Sequence, residues 1–135
     1  MKFNKLTPML TVANMDTTIR FYHDVLGFEC LNRGEDWATL LNYGVEIMTA
    51  LPNAHVPFQK SLFTGSFYMN LDDVDALWQS VRDKTDVVYP IENFYYGMRE
   101  FAIRDNNGYI LQFGSSIVDP SEIPSPEREE LKSQD

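Results

Sequence analysis

The chain is short of thiols, of cationic side chains and of long apolar runs. Cys30 is the only cysteine in 135 residues, so no disulfide can form within the chain, and a reducing, cytoplasmic setting is expected. No apolar run approaches the ~20 residues needed to cross a bilayer. The opening Met1–Pro8 lacks the apolar stretch of a secretory leader, so none is expected. Lys and Arg number 11 against 20 Asp and Glu, a formal net charge of −9. That field repels phosphate backbones and anionic lipid, so neither nucleic acid nor membrane is an expected partner, whereas a cationic molecule would be attracted. The same charge also serves plain solubility. No P-loop, dinucleotide glycine fingerprint or G-x-S-x-G elbow occurs. The two histidines, His23 and His55, fall on a helix and in a Pro-containing connection. They are read as unrelated surface residues, and Cys30 as a small packed residue on a strand.

What is present suits one globular domain. Hydrophobic residues make up 44% and charged residues 23%, the usual balance for a folded soluble chain. A chain of this size buries roughly two thirds of its unfolded surface. The expected domain covers residues 1–118. Residues 119–135 carry six acids against two bases, with Pro120, Pro124 and Pro126, and read as an acidic tail outside the fold. Within it, Ser125-Pro126-Glu127 could cap one short helix.

The body contains an internal repeat. Leu10-Thr11-Val12 is a short strand followed by Asn14, and Met69-Asn70-Leu71 is another followed by Asp73, 59 residues later. Asn14 and Asp73 suit helix N-caps, where a side-chain oxygen takes an orphan backbone N–H. Met15, Ile19, Tyr22 and Leu26 then share one helical face, as do Val74, Leu77, Trp78 and Val81. Gly27 suits a left-handed cap. Three strand-like runs follow each helix: 28–32, 37–41 and 45–50, then 87–91, 98–104 and 109–114. The last two of each set meet at a tight turn, Asn42-Tyr43-Gly44 and Asp105-Asn106-Asn107-Gly108. Each half is therefore β-α-β-β-β, with modules at about 5–51 and 65–116. The fold class is α+β: two tandem βαβββ modules forming a concave eight-stranded mixed sheet, helices outside and a ligand-sized trough inside.

Pro8–Asn14 with Phe21-Tyr22-His23-Asp24-Val25-Leu26-Gly27-Phe28, and the closing stretch Gly97–Phe113, resemble the vicinal oxygen chelate superfamily in its glyoxalase/bleomycin-resistance branch. The resemblance spans residues 5–116. It implies this fold, a homodimer, and either metal-dependent chemistry or metal-free drug sequestration. It also implies metal-ligand positions at Thr7, Met48, Ser66 and Gln112. None is His, Asp or Glu, so no metal and no other cofactor is expected.

Period-2 alternation then divides the strand residues between two faces. Pairing Ile103 with Ile110, Phe101 with Gln112 and Arg99 with Gly114 predicts an inner wall of Met9, Trp37, Met48, Tyr68 and Phe101. Glu46, Asn70, Arg99 and Gln112 would be its polar contacts, and Tyr95 and Tyr96 its stacking rim. Glu46 is either an ion-pair partner of Arg99 or a general base, the weak catalytic candidate. Three functions stay open. One is a binding protein of the bleomycin-resistance type, conferring antibiotic resistance by sequestering an aromatic or cationic organic molecule. Another is a glyoxalase-like lyase, isomerase or dioxygenase with a non-standard site. The third is an interaction domain whose trough is filled by side chains.

Overall fold

The computed structural model describes residues 1–126. Two compact units are formed, one by residues 1–63 with the tetrapeptide Asn106–Tyr109, the other by 64–105 with the described chain from Ile110. No helix among the described residues is long and apolar enough to cross a membrane.

The first unit contains β1 (Met9–Thr11), α1 (Met15–Leu26), β2 (Glu29–Arg33), β3 (Trp37–Asn42) and β4 (Val45–Ala50). Local chemistry starts and stops the helix. The Asn14 side chain accepts from Thr17 N at 2.9 Å, and Gly27 closes the last turn at φ 74°, a conformation that costs a Cβ-bearing residue dearly. The face that α1 buries is Met15, Thr18, Tyr22 and Leu26, with Ile19 half-buried. Tyr22 meets Phe28 edge-on at 5.5 Å. Thr18 is fully buried, so its hydroxyl must be satisfied. It donates to Asn14 O at 2.7 Å and accepts from the amides of Asn106 and Asn107, each at 3.1 Å.

The second unit contains β5 (Phe67–Asn70), α2 (Val74–Val81), β6 (Asp86–Asn93), β7 (Met98–Arg104) and β8 (Ile110–Ser116). Asp73 caps α2 by accepting from Ala76 N at 3.1 Å. Trp78 of α2 lies 5.1 Å from Phe101, which is fully buried with Ile103, Leu111 and Phe113.

The strand orders are β1-β4-β3-β2 and β5-β8-β7-β6. In each, the first strand pairs parallel to the last and the other pairs are antiparallel. Each repeat thus completes its own ladder, because its first strand pairs with its last, and the result is two sheets of four rather than one of eight.

The β7–β8 register differs by one residue from the expected one. Phe101 pairs with Phe113, Ala102 with Gln112, Ile103 with Leu111 and Glu100 with Gly114. The apolar set favours this: unlike the one-residue slip, this pairing puts Phe101, Ile103, Leu111 and Phe113 on one buried face, with Phe101 against Trp78 of α2. A slip of one residue turns every side chain to the other face. Phe101 is therefore a core residue, not part of a ligand wall.

The chain also stays tied to the second unit past residue 118. Asp119 caps a 3-10 turn at Pro120–Glu122, and the Asn93 amide donates to Glu122 O at 3.1 Å. The short helix expected from Ser125-Pro126-Glu127 lies outside the described residues.

Candidate functional site

The corrected register brings forward Glu100, a residue the sequence reading passed over. It stands on the β7 face opposite α2, with Ala102, directly opposite Gly114 and diagonal to Gln112 of β8, which is itself paired in register with Tyr68 of β5. Its exposure is 1%. A buried carboxylate accepts hydrogen bonds only, and it must find donors. Glu100 finds four. Oε1 accepts from the hydroxyls of Tyr68, at 3.3 Å, and Tyr96. Oε2 accepts from the Tyr89 hydroxyl and, at 3.4 Å, from the Gln112 amide. The Gln112 amide also donates to the Tyr89 oxygen at 2.8 Å, and Ser66 donates to Gln112 Oε1. Among the described residues no Lys or Arg pairs with Glu100.

Backbone features aim these donors. The β6 ladder is irregular on both sides of Tyr89, between Val87 and Tyr89 and between Tyr89 and Glu92, and such bulges re-aim side chains. Tyr95 and Tyr96 occupy the tight β6–β7 connection, closed by Phe94 N to Met98 O at 2.8 Å and by Gly97 at φ 88°. Tyr68 reaches Glu100 across Gly114: a Cβ built at Gly114 would lie 2.1 Å from the Tyr68 oxygen. Burial first, and then the neighbouring carboxylate, raises all three phenol pKa values; that of Tyr68 rises to about 12. All three therefore stay protonated donors at neutral pH. Their rings remain partly open, Tyr68 at 45% and Tyr96 at 52% exposure. Tyr96 stacks on Phe94 at 5.5 Å and meets Tyr95 edge-on at 5.3 Å.

The other sequence-predicted residues go elsewhere. In the first unit Met9, Trp37, Glu46 and Met48 do lie on the face opposite α1, since Leu10, Ala38, Leu40, Ile47 and Thr49 take the helix side. Met9 also borders an apolar cavity of about 260 Å³ with Phe58, Leu62, Phe63 and Tyr109. Glu46 does not pair with Arg99. It accepts from Lys5 Nζ at 2.8 Å and from Thr7 Oγ1 at 3.0 Å. The Lys5 bond and then the Thr7 bond lower its pKa, the opposite of what a general base working at neutral pH needs. Arg99 lies on the α2 side of β7, held by Asp75 through Nε and Nη2 (2.9 Å) and by Asn93 at 2.9 Å, beside a cavity of about 340 Å³. Asn70 donates to Gly114 O at 3.2 Å.

The expected metal positions can be judged by what their atoms do. Thr7 donates to Glu46, Ser66 donates to Gln112, and the Gln112 oxygen accepts that bond. Met48 offers a thioether. Neutral donors committed to neighbours do not suit a hard divalent ion. Among the described residues no three His, Cys, Asp or Glu are grouped to hold one. His23 is an exposed residue with Nδ1 3.0 Å from Asp24, and that hydrogen bond followed by the Glu29 charge raises its pKa.

The family model described as Glyoxalase/Bleomycin resistance protein/Dioxygenase superfamily matches residues 3–113. No curated protein matches the chain. Among solved structures, TioX from Micromonospora sp. ML1 is 22% identical with a TM-score of 0.70, over 85% of this chain and 100% of that one. A glyoxalase/bleomycin resistance protein/dioxygenase from Nocardioides is 14% identical with a TM-score of 0.71, over 93% and 89%. A glyoxalase-related enzyme from Fulvimarina pelagi is 16% identical with a TM-score of 0.70, over 84% and 88%. At these identities the likeness is one of fold.

Proposed function

The chain belongs to the glyoxalase/bleomycin resistance protein/dioxygenase superfamily, and on that footing we propose that it is a metal-free binding protein for a small aromatic or cationic organic molecule. The site is the second-unit sheet face around Tyr68, Tyr96 and Glu100. One observation carries this reading. Glu100, among the described residues the buried carboxylate of that face, has its lone pairs taken by three phenols and an amide, which leaves rings for binding and ties up the carboxylate that could have acted as base or metal ligand. Sequestration of a drug-like molecule in the cytoplasm, by a homodimer, belongs to the same reading. The exposed apolar side chains Phe3, Leu6 and Met9 support the dimer, since large apolar groups left in water commonly mark an interface.

The test pairs metal analysis of the purified protein with a titration by neutral and cationic aromatic compounds, followed by NMR. The expected result is no stoichiometric metal, with shifts centred on Tyr68, Tyr96 and Gln112. One bound Zn, Ni, Mn or Fe per chain, lost on Gln112→Ala or Glu46→Ala, would overturn the reading. So would shifts confined to the rest of the surface. Sedimentation at several concentrations checks the dimer.

A further inference from the structure

We propose that the second-unit face recognises an organic ammonium group, seated against the rings of Tyr68 and Tyr96 above the buried charge of Glu100. This rests on the binding reading above and narrows its ligand. Three observations carry it. First, Glu100 is removed from water and no described Lys or Arg pairs with it. Its four neutral donors solvate the carboxylate but leave its net charge in place, and a buried charge is best complemented by an opposite one. Second, the exposed surface over that charge is aromatic. Tyr68 and Tyr96 are half open, and Phe94 and Tyr95 brace Tyr96 at ring distances of 5.5 and 5.3 Å. A ring face attracts a cation within about 6 Å of its centre, and a methylated ammonium, weakly hydrated, loses little water on reaching it. Third, a phenol whose proton is donated to a carboxylate has an electron-rich oxygen and ring, which strengthens both attractions. An anionic ligand would meet the Glu100 charge at the same place and be repelled.

The geometry also sets the shape of the ligand. Every lone-pair direction of Glu100 is already used, so the ammonium makes no direct hydrogen bond to it, and a fully methylated nitrogen forfeits nothing relative to a primary amine. Selectivity for the charge rather than for N–H donors follows.

The experiment uses the full chain and two probes of one shape, choline and its uncharged carbon isostere 3,3-dimethylbutan-1-ol, titrated by NMR with the tyrosine rings labelled. Choline should bind at least about tenfold more tightly than the isostere, with shifts on Tyr68 and Tyr96. Glu100→Gln, which removes the charge at nearly constant volume, should shrink that preference toward what the tyrosine rings alone supply, while leaving the isostere's weak binding as it was. Should Glu100→Gln not fold, Tyr68→Ala truncates a half-exposed ring that both probes touch, and it should weaken choline more than the isostere, narrowing the preference. Equal binding of the two probes overturns the ammonium assignment while the broader binding reading stands. An unchanged preference in Glu100→Gln, or in Tyr68→Ala, overturns it as well. If neither probe nor any aromatic compound perturbs these tyrosines, both readings fall together.

Discussion

Gly114→Ala is the sharpest probe of how the tyrosine cluster is assembled. Gly114 stands on β8 opposite Glu100 and carries no positive φ, so its backbone accepts alanine. The obstacle is the Tyr68 phenol, whose oxygen would lie 2.1 Å and whose Cζ would lie 2.9 Å from the new methyl. Retreat to an ordinary contact moves the oxygen by more than about 1 Å. The Tyr68–Glu100 bond is already long at 3.3 Å, so that displacement breaks it. Tyr68 is 45% exposed and can swing into water, which limits the loss to about 1 kcal/mol. Removing a glycine from the unfolded chain returns about 0.4–1 kcal/mol. Stability should therefore stay within about 1 kcal/mol of the parent, while the Tyr68 phenol, now solvated, titrates near about 10 rather than about 12. Tyrosine-labelled NMR across pH 8–13 reads the pKa, and urea melts read the stability. A Tyr68 midpoint that does not move, or a destabilisation beyond about 3 kcal/mol, would refute the picture of a mobile phenol resting on a bare backbone.

Further outcomes follow from the same contacts. The three phenols have folded pKa values above their unfolded ones, so their contribution is fully present below about pH 10 and is lost as pH climbs through the folded values. Denaturation midpoints should fall steeply on that side, and Tyr89→Phe should flatten the fall. Phe101→Ala should cost about 3–5 kcal/mol in urea melts while leaving small-molecule shifts at Tyr68 and Tyr96 in place, because Phe101 packs against Trp78 and Phe113. Lys5→Ala should raise the Glu46 pKa toward its ordinary value, since the Lys5 bond is the main cause of its lowering. NMR titration of the Glu46 carboxyl checks this, and an unmoved midpoint would remove Lys5 from the account. Asn14→Ala should cost about 1 kcal/mol through the lost α1 cap.

Much of the architecture was legible because it is local. Asn14, Asp73 and Gly27 act within a few residues of themselves, and the structure places each as a cap. The 59-residue echo and the two turn signals likewise survive as two βαβββ modules. The site was far less legible. Alternation assigns residues of a strand to two faces, but it does not say which residue of the neighbouring strand stands opposite. A single-residue difference in β7–β8 pairing moved Phe101 into the core and put Glu100 on the same face as Gln112. A signal for Glu100 existed: a lone acid amid Phe101, Ala102 and Ile103, within reach of a segment holding Tyr89, Tyr95 and Tyr96. Alone it could equally have been a solvated edge charge.

Composition, caps and turn residues by themselves determined the elements, their order, the repeat and the acidic field, because each depends on short-range backbone chemistry or on simple charge counting. Tertiary structure alone decided that Arg99 answers to Asp75, Glu46 to Lys5, and Glu100 to three tyrosines drawn from β5, β6 and the turn before β7. Those partners lie 4 to 41 residues apart in the chain. They meet only after burial of the apolar set has chosen a register, and the energy of that burial is shared across the whole sheet rather than written at any one position.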